Sequence, residues 1–350
     1  MSSQRDPYIG MRRLAVIVFL VAVCVLPFLV SGYRIFQFTQ AMIYAIALMG
    51  LNMLMGYNGQ VSLGHGAFYA IGAYATAILM DHWAVPYYLA IPIAAVVTFI
   101  FGFLFGIPAL RLRGLYLALA TLALALALPQ LLRFDAFEPW TGGVQGIFID
   151  KPAVPFGIPL SQDQWLYYFT LAIGVILFVL AGNLMRGRIG RALVAIRDHA
   201  IAAETMGIDA ARYKSMTFGI SALYTGVAGG LSAIVVNFVA PDSFDLFLSI
   251  ALFVGVVVGG LASVTGAIYG GLFLVFVPNL AQDISEAAPW AIYGLFLIVL
   301  MFTLPDGIAG FVRKVLLWLQ YRGRAGPLPA PTARPSIGAW ARTWYRELWS

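Results

Sequence analysis

Uncharged polar side chains gather in two glycine-rich runs of an otherwise apolar chain. Asn52, Asn58, Gln60, Ser62 and His65 lie in or beside GYNGQVSLGHG at residues 56–66, and Ser263 and Thr265 lie in GGLASVTG at residues 259–266. Amides and hydroxyls donate and accept hydrogen bonds without carrying charge. They can therefore hold backbone carbonyls freed by the glycines, or touch a small polar solute directly, and both readings stand for Asn52, Asn58, Gln60 and Ser62. His65 is read first as a neutral side chain satisfying the loop, ahead of a proton relay. No predicted span contains a carboxylate, and the chain has neither a nucleophile with its base nor paired metal ligands. That excludes hydrolytic and metal-dependent chemistry as the working hypothesis.

The third unusual stretch, residues 183–217, is charged. It carries Arg186, Arg188, Arg191, Arg197, Arg212 and Lys214 with Asp198, Glu204 and Asp209, in a chain where charged residues make up 10%. At helical spacing Leu193, Ile196, Ala200 and Ala203 share one arc, opposite Arg191, Asp198 and Thr205. Val194 and Ile201 stand as two apolar knobs on the polar side. Gly207 stands where a left-handed residue closes a helix. A loop of this length with its own amphipathic helix suits a rigid docking element for a soluble partner. No G-x-x-x-x-G-K-[ST] occurs, so the chain has no Walker A loop for nucleotide. Free energy for uphill movement of a solute must enter from outside.

These groups are positioned by membrane helices. The chain is 61% hydrophobic with a mean hydropathy of +0.89, above the range of soluble domains. Counting about 20 residues per crossing predicts ten spans, at 14–30, 36–55, 66–80, 86–107, 115–132, 165–185, 215–239, 247–259, 267–281 and 289–304. Of the 21 Lys and Arg, 18 fall before the first span, at 111 and 113, in the central loop and after residue 311. Those segments are assigned to the cytosol with both termini, and the +6 net charge needs no nucleic acid to explain it. Cys24 has no partner for an internal disulfide, and residues 14–30 read as an uncleaved first span. The two polar runs lack the Lys or Arg of other cytoplasmic connections, so they read as broken or re-entrant helices lining a translocation route.

The remaining domains follow from this pattern. Residues 1–13 form a cytoplasmic N-terminus, 14–304 the membrane domain, 186–214 a cytoplasmic loop, and 134–164 a periplasmic loop. That outer loop reads either as a contact for a soluble binding protein or as a lid over the span ends. Residues 305–350 form a basic, amphipathic and aromatic cytoplasmic tail. Phe311, Val312, Val315, Leu316 and Leu319 suit an interfacial helix lying on membrane lipid. The glycines at 72, 226, 229, 230, 270 and 271 read as close helix contacts.

The runs at residues 50–79 and 187–231 resemble the LivM-type inner-membrane permeases of high-affinity branched-chain amino acid ABC importers, over roughly residues 36–304. Within the second run, Ala202, Ala203, Glu204 and Gly207 resemble the E-A-A-x-x-x-G loop by which importer permeases contact their ATPases, with Ile201 where that pattern has glutamate. The resemblance implies an all-α polytopic membrane protein of the type II ABC importer kind in the bacterial inner membrane. It also implies a LivH-like second permease, two cytosolic ATPase subunits and a periplasmic solute-binding protein. This chain would bind no cofactor; ATP would sit on the partner subunits. On this reading Val194, Arg197, Asp198, Ile201, Ala202, Ala203, Glu204 and Gly207 serve ATPase coupling. Asn52, Asn58, Gln60, Ser62, His65, Ser263 and Thr265 serve the translocation pathway. The competing reading is an ion-coupled secondary carrier of a small polar solute, with the two breaks as ion and solute sites.

Overall fold

The computed structural model describes residues 21–112, 114–155, 159–284 and 289–322. The expected N-terminus at 1–13, the start of the first span, and the linker and aromatic end beyond 322 lie outside the described residues. Helices account for nearly all of the rest: α1 (21–29), α2 (Gly32–Asn52), α3 (His65–Asp81), α4 (Tyr87–Ala109), α5 (Leu115–Leu132), α6 (Glu138–Thr141), α7 (Gln162–Arg186), α8 (Arg188–Thr205), α9 (Ala210–Val236), α10 (Leu246–Gly259), α11 (Val264–Ile284), α12 (Pro289–Thr303) and α13 (Gly307–Arg322). The protein is an all-α polytopic membrane protein. Among the described residues one ladder joins β1 (Ile147–Phe148) and β2 (Phe238–Val239) antiparallel, with Ile147 opposite Val239.

Among the described residues, seven helices are long and apolar enough to span a bilayer, against the ten expected spans. The shortfall is informative. α3 has 17 residues, and at 1.5 Å per residue it rises only about 25 Å beside the first glycine-rich break. α10 has 14 residues but reaches span length together with the 3-10 turn before it, as Pro241–Gly259. α12, with 15 residues, is also short of a full crossing. The described part of the first expected span is residues 21–30, where Pro27 lacks the N–H that would bind the Val23 carbonyl. Tyr167 of α7 donates to that carbonyl at 2.8 Å, and Tyr168 donates to the carbonyl of Cys24 at 2.6 Å.

The core is built on α2 and α9, which are mostly buried, with α3, α4, α7, α10 and α11 packed around them. Lipid offers no hydrophobic drive for helix association, so close approach depends on small residues. A Cβ at Gly72 of α3 would lie 2.1 Å from the carbonyl oxygen of Gly226 in α9, and one at Gly271 of α11 would lie 2.4 Å from that of Ala41 in α2. The backbones touch at these points.

The connection between α5 and α7 lies over helix ends. Ile147, Ile149 and Val239 are buried where β1 meets β2. Thr141 Oγ1 donates to the Leu132 carbonyl at 2.8 Å. Arg133 pairs with Asp242, and Lys151 with Asp163 at 2.6 Å, so two basic residues assigned to the outer side meet acids assigned to the same side.

Candidate functional site

α2 does not end cleanly. Its last turn widens into a π-helix over Met53–Tyr57, with Asn58 N–H donating to the Met53 carbonyl and Gln60 N–H to the Leu54 carbonyl. Such turns release backbone groups from the regular ladder, and side chains from four other helices meet the segment that follows. Thr121 of α5 accepts from Leu63 N–H at 2.9 Å, and Ser249 of α10 accepts from Gly66 N–H at 3.0 Å. His65 Nδ1 lies 2.9 Å from Ser62 Oγ, and its Nε2 lies 2.6 Å from Ser221 Oγ on α9. The Ser221 hydroxyl donates to the Gly50 carbonyl at 2.7 Å. Its one hydrogen is thus used, so His65 carries its proton on Nε2 and accepts from Ser62 at Nδ1. The result is a chain from Ser62 through His65 and Ser221 to the backbone of α2.

Asn52 joins the two breaks. Its Nδ2 donates to the Ser263 carbonyl at 2.7 Å, and its Oδ1 accepts from Ala262 N–H at 2.8 Å. Ala262 has φ 56°, a left-handed conformation unusual for a residue with a side chain, and these two bonds flank it. Ser263 Oγ also accepts from Gly266 N–H at 3.2 Å and lies 3.1 Å from Thr265 Oγ1. Gly56 packs so closely that a Cβ there would lie 2.3 Å from Ala262 N.

The expected pathway residues of the first break come together: Asn52, Asn58, Gln60, Ser62 and His65 are all buried. Asn58 Nδ2 donates to Gln60 Oε1 at 2.6 Å, while Asn58 Oδ1 is buried without a donor. Ser263 is half-buried and Thr265 exposed. Towards the β1–β2 end of these helices, a cavity of about 360 Å³ opens between α2, α3, α9, α10 and α11. Gln40, Ser232 and Asn279 contribute polar groups to its wall, Tyr44 and Tyr69 line it, and their rings stack with centroids 6.3 Å apart.

α8 presents its two sides differently. Leu193, Ile196 and Ala203 are buried, with Leu193 in the main core and the other two in a small cluster with Ala210. Ile201 is 76% exposed and Met206 83%. The expected single helix is longer and in two arms: His199, at φ −156° and ψ 87°, interrupts it. Val194, expected as a second free knob, is half-buried, because the first arm lies against the ends of α7 and α9. Asp198, Ala202 and Glu204 are exposed. Gly207, at φ 82°, closes the second arm, with its N–H bonded to the Glu204 carbonyl and Ile208 N–H to that of Ala203.

Arg197 is exposed, but its guanidinium reaches back to the first break. Its Nη1 donates to the Gly56 carbonyl at 2.7 Å and its Nε to Asp198 at 2.9 Å. Sequence reasoning did not find this contact, nor Thr121, Ser221 and Ser249 as holders of the first break. A lone hydroxyl in an apolar span usually bonds its own helix, and nothing in its spacing says otherwise. His199 carries no glycine or proline signal either.

Comparison with known proteins identifies the family. A family model described as "Branched-chain amino acid transport system / permease component" matches residues 33–304. The high-affinity branched-chain amino acid transport system permease protein LivM of Salmonella typhimurium is 33% identical over 329 residues, covering 87% of this chain and 76% of its own. LivM of Escherichia coli K12 is 34% identical over 326 residues, covering 85% and 76%. LivH of Salmonella typhimurium, a permease protein of the same named system, is 24% identical over 286 residues, covering 76% and 91%. No solved structure matches. Since the family model covers residues 33–304, a stretch that includes both breaks and α8, and two relatives are 33% and 34% identical over most of the chain, this protein belongs to the family of permease components of branched-chain amino acid transport systems.

Proposed function

We propose that this chain is one of two permeases in a type II ABC importer of the bacterial inner membrane, carrying branched-chain or related amino acids. Salmonella typhimurium has both a LivM and a LivH permease resembling it, which favours a LivH-like second subunit. The single observation that carries the reading is α8. In a family of permeases it buries Leu193 and Ile196 while turning Ile201 and Met206 outward beside charged Asp198 and Glu204. An exposed apolar pair with charges around it is the surface a cytosolic ATPase would grip. On this reading two ATPases hold the ATP, a periplasmic binding protein delivers the solute to the outer cavity, and the ten-span arrangement places both termini in the cytosol.

Ile201→Asp tests the reading. In membranes co-expressing the neighbouring transport genes, the variant should reach wild-type permease levels while ATPase co-purification falls about tenfold, the loss of one well-packed apolar contact. ATPase recovery equal to wild type would overturn this docking surface.

A further inference from the structure

We propose that Arg197 is a positioning residue that ties the ATPase-facing helix to both glycine-rich breaks, so that they move as one unit. The proposal rests on reading residues 186–214 as the coupling loop, and it assigns Arg197 a role inside the chain rather than on the docking surface.

The geometry has three links. The first is the guanidinium, which reaches the Gly56 carbonyl in the π-turn at 2.7 Å. Carbonyls at a helix end lack donors from within the helix, and a charged donor makes a stronger bond there than a neutral one. The side-chain stem lies across Gly59, where a Cβ would come 2.7 Å from Arg197 Cγ. Gly59 has φ 72°, so any other residue would both strain the backbone and displace the stem. The second link is Gly56 itself, whose α-carbon faces Ala262 with no room for a Cβ. The third is Asn52, about one turn earlier in α2, which holds Ala262 N–H and the Ser263 carbonyl. Gly56 is therefore held between α8 on one side and the second break on the other.

The break in α8 at His199 divides the labour. Residues 188–198 carry Arg197, and residues 200–205 carry the exposed Ile201. A push on the second arm reaches the first across one extended residue, and the first arm has a direct bond to the π-turn. Arginine suits the task because its fork bonds Gly56 and Asp198 from different nitrogens, whereas a lysine has one point of charge.

Two measurements test the linkage on Arg197→Gln and Arg197→Lys. In the purified permease, amide hydrogen exchange should quicken in both 56–63 and 259–266 for Arg197→Gln, with a smaller change for Arg197→Lys. Faster exchange in 56–63 alone would overturn the linkage, and this readout needs no ATPase. In proteoliposomes holding the assembled importer, Arg197→Gln should retain its ATPases and basal hydrolysis while amino acid moved per ATP falls roughly tenfold, an ordinary size for coupling between sites. Wild-type coupling would overturn the proposal. Loss of the ATPases, as expected for Ile201→Asp, would also overturn it by placing Arg197 at the docking surface. If the wild-type permease itself retains no ATPase, the importer reading fails while the exchange result still decides the linkage.

Discussion

Gly72→Ala adds one methyl group at the crossing of α3 and α9. The new carbon would lie 2.1 Å from the Gly226 carbonyl oxygen, 2.4 Å from its α-carbon and 2.5 Å from its carbonyl carbon. Non-bonded carbons settle at about 3.5–4.0 Å, so the helices must part by more than about 1 Å. All three obstructing atoms are backbone, so no rotamer change relieves the clash. The same seam holds Gly229 against the Tyr69 carbonyl and Gly230 against Thr76, and parting the helices loosens those contacts too. Overpacking of a core costs about 1–3 kcal/mol. With no soft neighbour, the upper end applies, and about 3 kcal/mol lowers the folded-to-unfolded ratio roughly 100-fold. α9 also carries Ser221, the partner of His65, so transport should fall with stability. The assay is the thermal unfolding midpoint in mild detergent, read beside amino acid uptake. Gly182→Ala is the control: it lies in α7 with no atom within 4 Å of a new Cβ, and alanine favours a helix over glycine by about 1 kcal/mol. Equal midpoints for Gly72→Ala and wild type, with uptake intact, would refute the close-packed seam.

The other expected outcomes concern the first break and the cap of α8. His65→Leu breaks the chain from Ser62 to Ser221 and should destabilise the fold by about 1–3 kcal/mol, the cost of stranding buried polar groups. His65→Gln should recover part of this, as read by thermal unfolding; lost uptake at wild-type stability would instead point to a direct role with solute or proton. Gly207→Val forces a β-branched residue to φ 82° and should cost about 1–2 kcal/mol. Limited proteolysis should then cut near residues 205–210 faster than in wild type or in Gly207→Asn, since asparagine tolerates that conformation; equal cutting of all three would argue against the cap.

Hydropathy alone located most of the spans, because a bilayer imposes both length and composition on anything that crosses it. The sequence also located both breaks, since only glycine-rich polar runs interrupt an apolar helix without charge, and it placed Ile201 on the free side of α8. Gly207 was legible for the same local reason: a left-handed cap is set by one residue and its neighbours.

Three-dimensional packing decided the rest. Asn52 and Ala262 are 210 residues apart, and Arg197 and Gly56 are 141 apart. No local preference encodes which buried amide meets which freed carbonyl. The sequence determines that the π-turn and the second break must find hydrogen-bond partners, because unsatisfied backbone is costly in a dry interior. Only the approach of α2, α8, α9 and α11 determines that those partners are Arg197, Asn52 and Ser221.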